Sequence, residues 1–162
     1  MEPIDSIITI AIILGIYIII RLVVYKISVR PINLGWKEDG FQACPSTPNC
    51  VSTTASSDDE EHHIEPIQYS CDFKEAYNRV LEIITEYGRA RLVLTKERYV
   101  YAEFKSLLWR FTDDVEFYFP EDDNIIHFRS ASRIGSRDNG ENRKRMERLR
   151  KAFHAKDPQL ME

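Results

Sequence analysis

The sequence predicts an α+β fold: an N-terminal transmembrane helix, then a small domain with a four-stranded antiparallel sheet covered on one face by two helices. Three observations carry that prediction. Apolar and charged residues alternate in three runs between Tyr99 and Arg133; Asp72 to Tyr87 and about Asp138 to Lys156 repeat apolar residues at helical spacing; and Ile7 to Tyr25 is almost wholly apolar.

Successive strand side chains point to opposite faces, so Val115, Phe117 and Phe119 fall on one side and Asp114, Glu116 and Tyr118 on the other. In the next run Ile126, Phe128, Ser130 and Ser132 oppose Ile125, His127, Arg129 and Arg133. A loop over Glu121 to Asn124 then sets Phe117 against Phe128, Tyr118 against His127 and Glu116 against Arg129. A slip of one residue would carry an aromatic row into water. Tyr99 to Lys105 alternates likewise, with Val100, Ala102 and Phe104 inward and Glu103 beside the charged face. Leu92 and Leu94 mark a fourth strand, turning at Lys96 to Arg98.

The first domain helix is capped by Asp72 with Glu75 and stopped by Gly88, and its stripe of Phe73, Ala76, Tyr77, Val80, Ile84 and Tyr87 covers the inner sheet face. The second starts near Asp138 with Glu141 as capping partner. It buries Met146, Leu149 and Phe153 and turns Arg143, Lys144, Arg145, Arg148, Arg150 and Lys151 outward.

Ile7 to Tyr25 would span about 28 Å as a helix, close to the hydrocarbon thickness of a bilayer. Glu2 and Asp5 precede it, and Arg21, Lys26, Arg30 and Lys37 lie at or beyond its end. That is the reverse of a secretory leader's basic start, and it favours an uncleaved anchor holding the lipid bilayer through residues 7–25. The chain divides into an anchor (1–30), a linker with a Cys-Pro loop (31–62), an α+β domain (63–156) and a tail (157–162). Trp36 serves either as an interfacial anchor or as a packing residue on the domain.

The net charge is −4, but Arg133 to Lys156 holds nine Arg or Lys against three acids. The basic helix fits a solvated face or attraction to anionic lipid or a protein partner. An acidic whole without a recognised binding module argues against nucleic acid.

Cys44 and Cys50 are separated by two prolines and an Asn, which force a compact loop. Three chemistries fit them: a disulfide in an oxidising compartment, thiols in the cytoplasm, or metal or redox chemistry in which His63 joins the pair as a weak ligand set. Cys71 reads as an ordinary buried residue. The pattern calls for no cofactor.

Cys44 to Ser52, Ala102 to Ser106, Phe111 to Phe117, His127 to Gly135 with its Arg-Ser-Ala-Ser-Arg run, and Asn142-Arg143 together resemble the domain-of-unknown-function family 1499 over roughly residues 41 to 152. Members are bacterial and plastid proteins, often with an N-terminal signal or anchor, and the resemblance implies no activity. This chain departs from it at Lys105, where members tend to have Arg, and at Trp109-Arg110, where they tend to have Phe-Gly. The positive-inside rule places the domain in the cytoplasm; family members with signals, and a purpose for the Cys loop, tilt the reading to the extracytoplasmic side.

Glu103, Asp113, Asp114, Glu116, His127, Arg129 and Arg133 are expected to gather on or near the outer sheet face. As structure they form cross-strand ion pairs. As a site, Arg129 and Arg133 grip a carboxylate or phosphate while Asp114 or Glu116 orients them or acts as a base, with His127 a further catalytic candidate. The function read from this is a non-enzymatic binding or envelope-associated module using the charged face and the basic helix, with lipid or anion contacts at Arg143, Lys144, Arg145 and Arg148. The alternative is a hydrolase using Asp114 with Arg129, or a thiol-redox protein using Cys44 with Cys50.

Overall fold

The computed structural model describes residues 3–38 and 40–156; the tail expected at 157–162 lies outside the described residues. Helix α1 (Pro3–Ile27) is followed by strands β1 (Cys50–Ser52) and β2 (Ile67–Gln68), helix α2 (Phe73–Glu86), strands β3 (Ala90–Thr95), β4 (Tyr99–Lys105), β5 (Thr112–Tyr118) and β6 (Ile125–Ser132), and helix α3 (Glu141–Ala155). The protein is α+β, with six strands where the sequence pointed to four. The two additional strands, β1 and β2, both pair with β6 and are too short to alternate visibly.

The sheet is antiparallel in the order β1-β6-β5-β4-β3. Its register is the expected one: Phe117 lies opposite Phe128, Tyr118 opposite His127 and Glu116 opposite Arg129. The β3–β4 pairing shifts between Leu92 and Leu94, so Leu92 packs on the main core, Val93 joins a cluster on the other face and Leu94 is exposed. One face carries Val100, Ala102, Phe104, Val115, Phe117, Phe119, Ile126 and Phe128 against Ala76, Val80, Ile83 and Ile84 of α2 and Met146, Leu149 and Phe153 of α3.

Asp72 caps α2 as expected, accepting from the Glu75 amide at 2.9 Å, and Gly88 leaves the helix at φ +75°. At α3 Asp138 accepts from the amides of Gly140 and Asn142 at 2.9 and 2.7 Å, while Glu141 pairs with Lys144 rather than reaching back to the cap.

The helix face expected to be wholly outward is not. Arg145 is 6% exposed and turns into the domain. Arg143 donates to the carbonyls of Glu60, Glu61 and His63 at 3.1, 3.1 and 2.7 Å, and Arg150 to those of Glu65 and Pro66, tying the 60–66 loop to α3. Lys144, Arg148 and Lys151 stay exposed.

Residues 31–38 also depart from a free linker. They cross the sheet face opposite the two helices, where Trp36 stacks on Tyr118 at 4.0 Å and on His127 at 5.2 Å and meets Phe41 edge-on at 5.0 Å. Of Trp36's two expected roles, packing on the domain is the one realised. Helix α1 contains a stretch, Ile4–Ile27, long and apolar enough to cross a membrane, and almost none of it is buried against the rest of the chain.

Candidate functional site

Alternation along β4, β5 and β6 brings Glu103, Asp114, Glu116, Arg129 and Arg133 to one face, as the hairpin register requires. They are not exposed ion pairs, because the strap from Ser28 to Gly35 covers them: Glu103 is 4%, Asp114 2%, Glu116 0% and Arg129 6% exposed. Their hydrogen bonds are largely internal. Glu103 accepts from Arg30 and Arg91 at 2.7 Å and from Arg133 at 2.6 Å. Burial opposes its charge, yet the three guanidinium donors outweigh that and hold its carboxyl down to about 2. Asp114 accepts from Arg133 at 2.6 Å and from the Tyr101 hydroxyl at 2.5 Å. Glu116 accepts from the Tyr99 hydroxyl at 2.7 Å and from the Gly35 amide at 2.6 Å. Burial beside these carboxylates raises both tyrosines, so both hydroxyls stay protonated as donors.

Arg129 differs from its neighbours. It reaches Glu116 Oε2 at 3.6 Å, longer than a hydrogen bond, and its Nε has no hydrogen-bond partner among the described residues. Burial lowers its pKa against the opposing pull of Glu116 and Asp114. With Asp114 it lines a cavity of about 410 Å³ closed by Pro31 and Asn33 of the strap, Gln42 to Pro45 of the Cys loop, and Ala131 and Ser132.

Two expected members stand apart from this cluster. Asp113 shares the inward parity of Val115 and ion-pairs with the buried Arg145 on the α3 side. His127 is on the outer face but sits beneath Trp36, its Nδ1 3.0 Å from Thr53 Oγ1, and burial lowers its pKa; among the described residues no carboxylate hydrogen-bonds it.

The serines of the Arg-Ser-Ala-Ser-Arg run point to the helix side, as alternation predicts. Ser130 donates to Asn142 Oδ1 at 2.6 Å, and Asn142 Nδ2 donates to Ser132 Oγ at 2.9 Å and to the Asn49 carbonyl at 3.0 Å. Arg145 also donates to Asn142 Oδ1 at 2.7 Å. Sequence reasoning missed this hub, for only pairing β1 beside β6 brings Asn49 to Asn142.

Cys44 and Cys50 form a disulfide, so their sulfurs are not available as metal ligands, and His63 instead contacts the Ala55 carbonyl and Glu65. His62 braces the loop between Asp59 and the Thr47 carbonyl. Burial works against its charge, but those acceptors prevail and raise its pKa. Among the described residues no cluster of three metal-ligating side chains occurs.

A comparison with curated proteins found no match. The model of a family described as a protein of unknown function, DUF1499, matches residues 41–153, well over half of the chain, and the chain belongs to that family.

Proposed function

We propose that the chain is a membrane-anchored, non-enzymatic binding module that takes a carboxylate or phosphate group of its partner at Arg129, in the cavity beneath the Cys loop. The observation carrying this is a buried guanidinium that lines the cavity, meets Glu116 only at 3.6 Å and leaves its Nε without a hydrogen-bond partner among the described residues, whereas Arg133 holds Asp114 and Glu103 at 2.6 Å. Asp114 and Glu116 suit orientation better than base catalysis, since each already holds two donors. Retention of α1 is supported by contacts that the helix and the residue after it make with the domain: Val24 is buried, Tyr17 donates to the Leu108 carbonyl at 3.1 Å, and the Ser28 carbonyl accepts from Arg133 at 3.2 Å. The disulfide favours an oxidising, extracytoplasmic side.

The test is anion-dependent thermal stabilisation of the full chain in nanodiscs, with inorganic phosphate and acetate titrated at constant ionic strength. The expected result is a saturable rise that Arg129→Gln abolishes and Arg129→Lys weakens. A wild-type response no larger than that to chloride overturns the reading.

Cys44 lines the same cavity and is half-buried, which favours a thiol-redox function as the second reading. Mass spectrometry of trapped thiols in freshly isolated protein decides it: a disulfide oxidised throughout the population removes that reading, and a mixed population supports it.

A further inference from the structure

A second cavity lies where α1 meets the open end of the sheet. About 290 Å³ in volume, it is lined by Arg21, Val24, Tyr25 and Ser28 from α1 and the residue following it, and by Arg91, Glu103, Lys105, Arg110, Thr112 and Arg133 from the domain. Five cations face one carboxylate. Arg91 and Arg133 already hold Glu103, and Arg21 donates to the Tyr17 hydroxyl at 3.3 Å. Lys105 and Arg110 have no ion pair among the described residues, so the excess positive charge sits at the cavity's domain wall.

The β4–β5 loop gives the cavity its setting. Its tip leaves Leu107 76% and Leu108 55% exposed, and Trp109 lies against α1, with its ring 5.7 Å from that of Tyr17. Tyr17 is ten residues before Ile27, about 15 Å along the helix, so the tip runs beside the apolar stretch rather than above it. Arg110 turns the chain back at φ +62°, a left-handed conformation that costs glycine nothing and an arginine something. An apolar tip with a basic collar, next to a helix of membrane-spanning length, fits the layer where acyl chains give way to headgroups.

We infer that this cavity is a phospholipid headgroup site, in which Arg21, Lys105 and Arg110 receive the phosphate of an anionic lipid while Leu107, Leu108 and Trp109 rest among its acyl chains. It rests on the reading of α1 as an anchor but is independent of Arg129. Arg91 and Arg133 supply background charge and remain with Glu103. The shared chemistry is a phosphate group, and the lipid is the source because Arg110 of the cavity wall directly follows the apolar tip.

The test uses the full chain in nanodiscs of equal phosphatidylcholine and phosphatidylglycerol, extracted in mild detergent, with co-purifying lipid counted by native mass spectrometry. Retained phosphatidylglycerol is expected to exceed phosphatidylcholine about thirtyfold, the effect of two cations near a membrane surface. Combining Lys105→Gln with Arg110→Gly should bring the ratio near one. Arg110→Gly also relieves the positive φ, so a thermal midpoint at or above wild type guards against a folding artefact, and Arg110→Gln provides a second variant. Soluble glycerol phosphate at millimolar concentration is expected not to displace the lipid; displacement would assign the site to a free phosphate and overturn the proposal. Protein that stays in the disc with no lipid preference, or with a preference the variants keep, overturns the headgroup site alone. Protein that leaves the disc overturns the anchor, and this site with it.

Discussion

Glu103 carries three guanidinium contacts on one carboxylate, and this sets how the domain responds to acid. Its folded pKa lies below the ordinary carboxyl value, so the stability it contributes is complete above about pH 5 and drains away as pH falls toward 2. Replacing it with Gln is expected to cost about 3 kcal/mol at neutral pH, since Arg30, Arg91 and Arg133 would face one another without their shared partner. The variant should also lose less stability than wild type between pH 5 and pH 2. Urea unfolding across that range checks both points, and parallel acid limbs would contradict them. Residue parity was legible in the sequence for Glu116, Arg129 and Arg133 because alternation sets direction. It was equally available for Asp113, which shares the parity of Val115, but grouping by charge hid it. Arg145 was misjudged for a related reason: on a helix dense in arginine, charge pattern does not reveal which member finds a buried Asp.

Among the elements, β4, β5, β6 and the two domain helices were legible because each is long enough to show its period and carries its own stop signals. Strand β1 was not, for its three residues follow a proline-rich loop and its pairing depends on a segment eighty residues away. The same distance explains why the Asn142 hub was invisible. Asn142→Ala would strand the Asn49 carbonyl, Ser130, Ser132 and Arg145 together, and the expected cost is about 3 kcal/mol. By contrast Lys144→Ala, at an exposed pair on the same helix, should cost less than about 1 kcal/mol. Thermal midpoints of the two variants side by side test this, and equal losses would show that the hub does not hold α3 to the sheet. The family motifs thus divide by face: the serines of the Arg-Ser-Ala-Ser-Arg run bind helix to strand, and its arginines serve the strapped side.

At the scale of the whole molecule, the chain leaving α1 does not release the domain but folds back across its charged face. Arg30, the Gly35 amide and Trp36 close that face, and the Ser28 carbonyl holds Arg133. An interval that composition marks as linker is therefore a cover joining the apolar helix to the sheet. Composition could not reveal this, because Gly35 binds Glu116 through a backbone amide, a contact that leaves no side-chain signature in the sequence. Losing α1 would remove Val24 and the Tyr17 contacts and expose the cationic cavity, so the account requires the helix to remain part of the working protein.

The most direct test is the intact mass of the protein recovered from cell membranes after alkaline carbonate washing. The account predicts a carbonate-resistant chain whose mass includes the residues of α1. A soluble chain lacking the residues of α1 would contradict it.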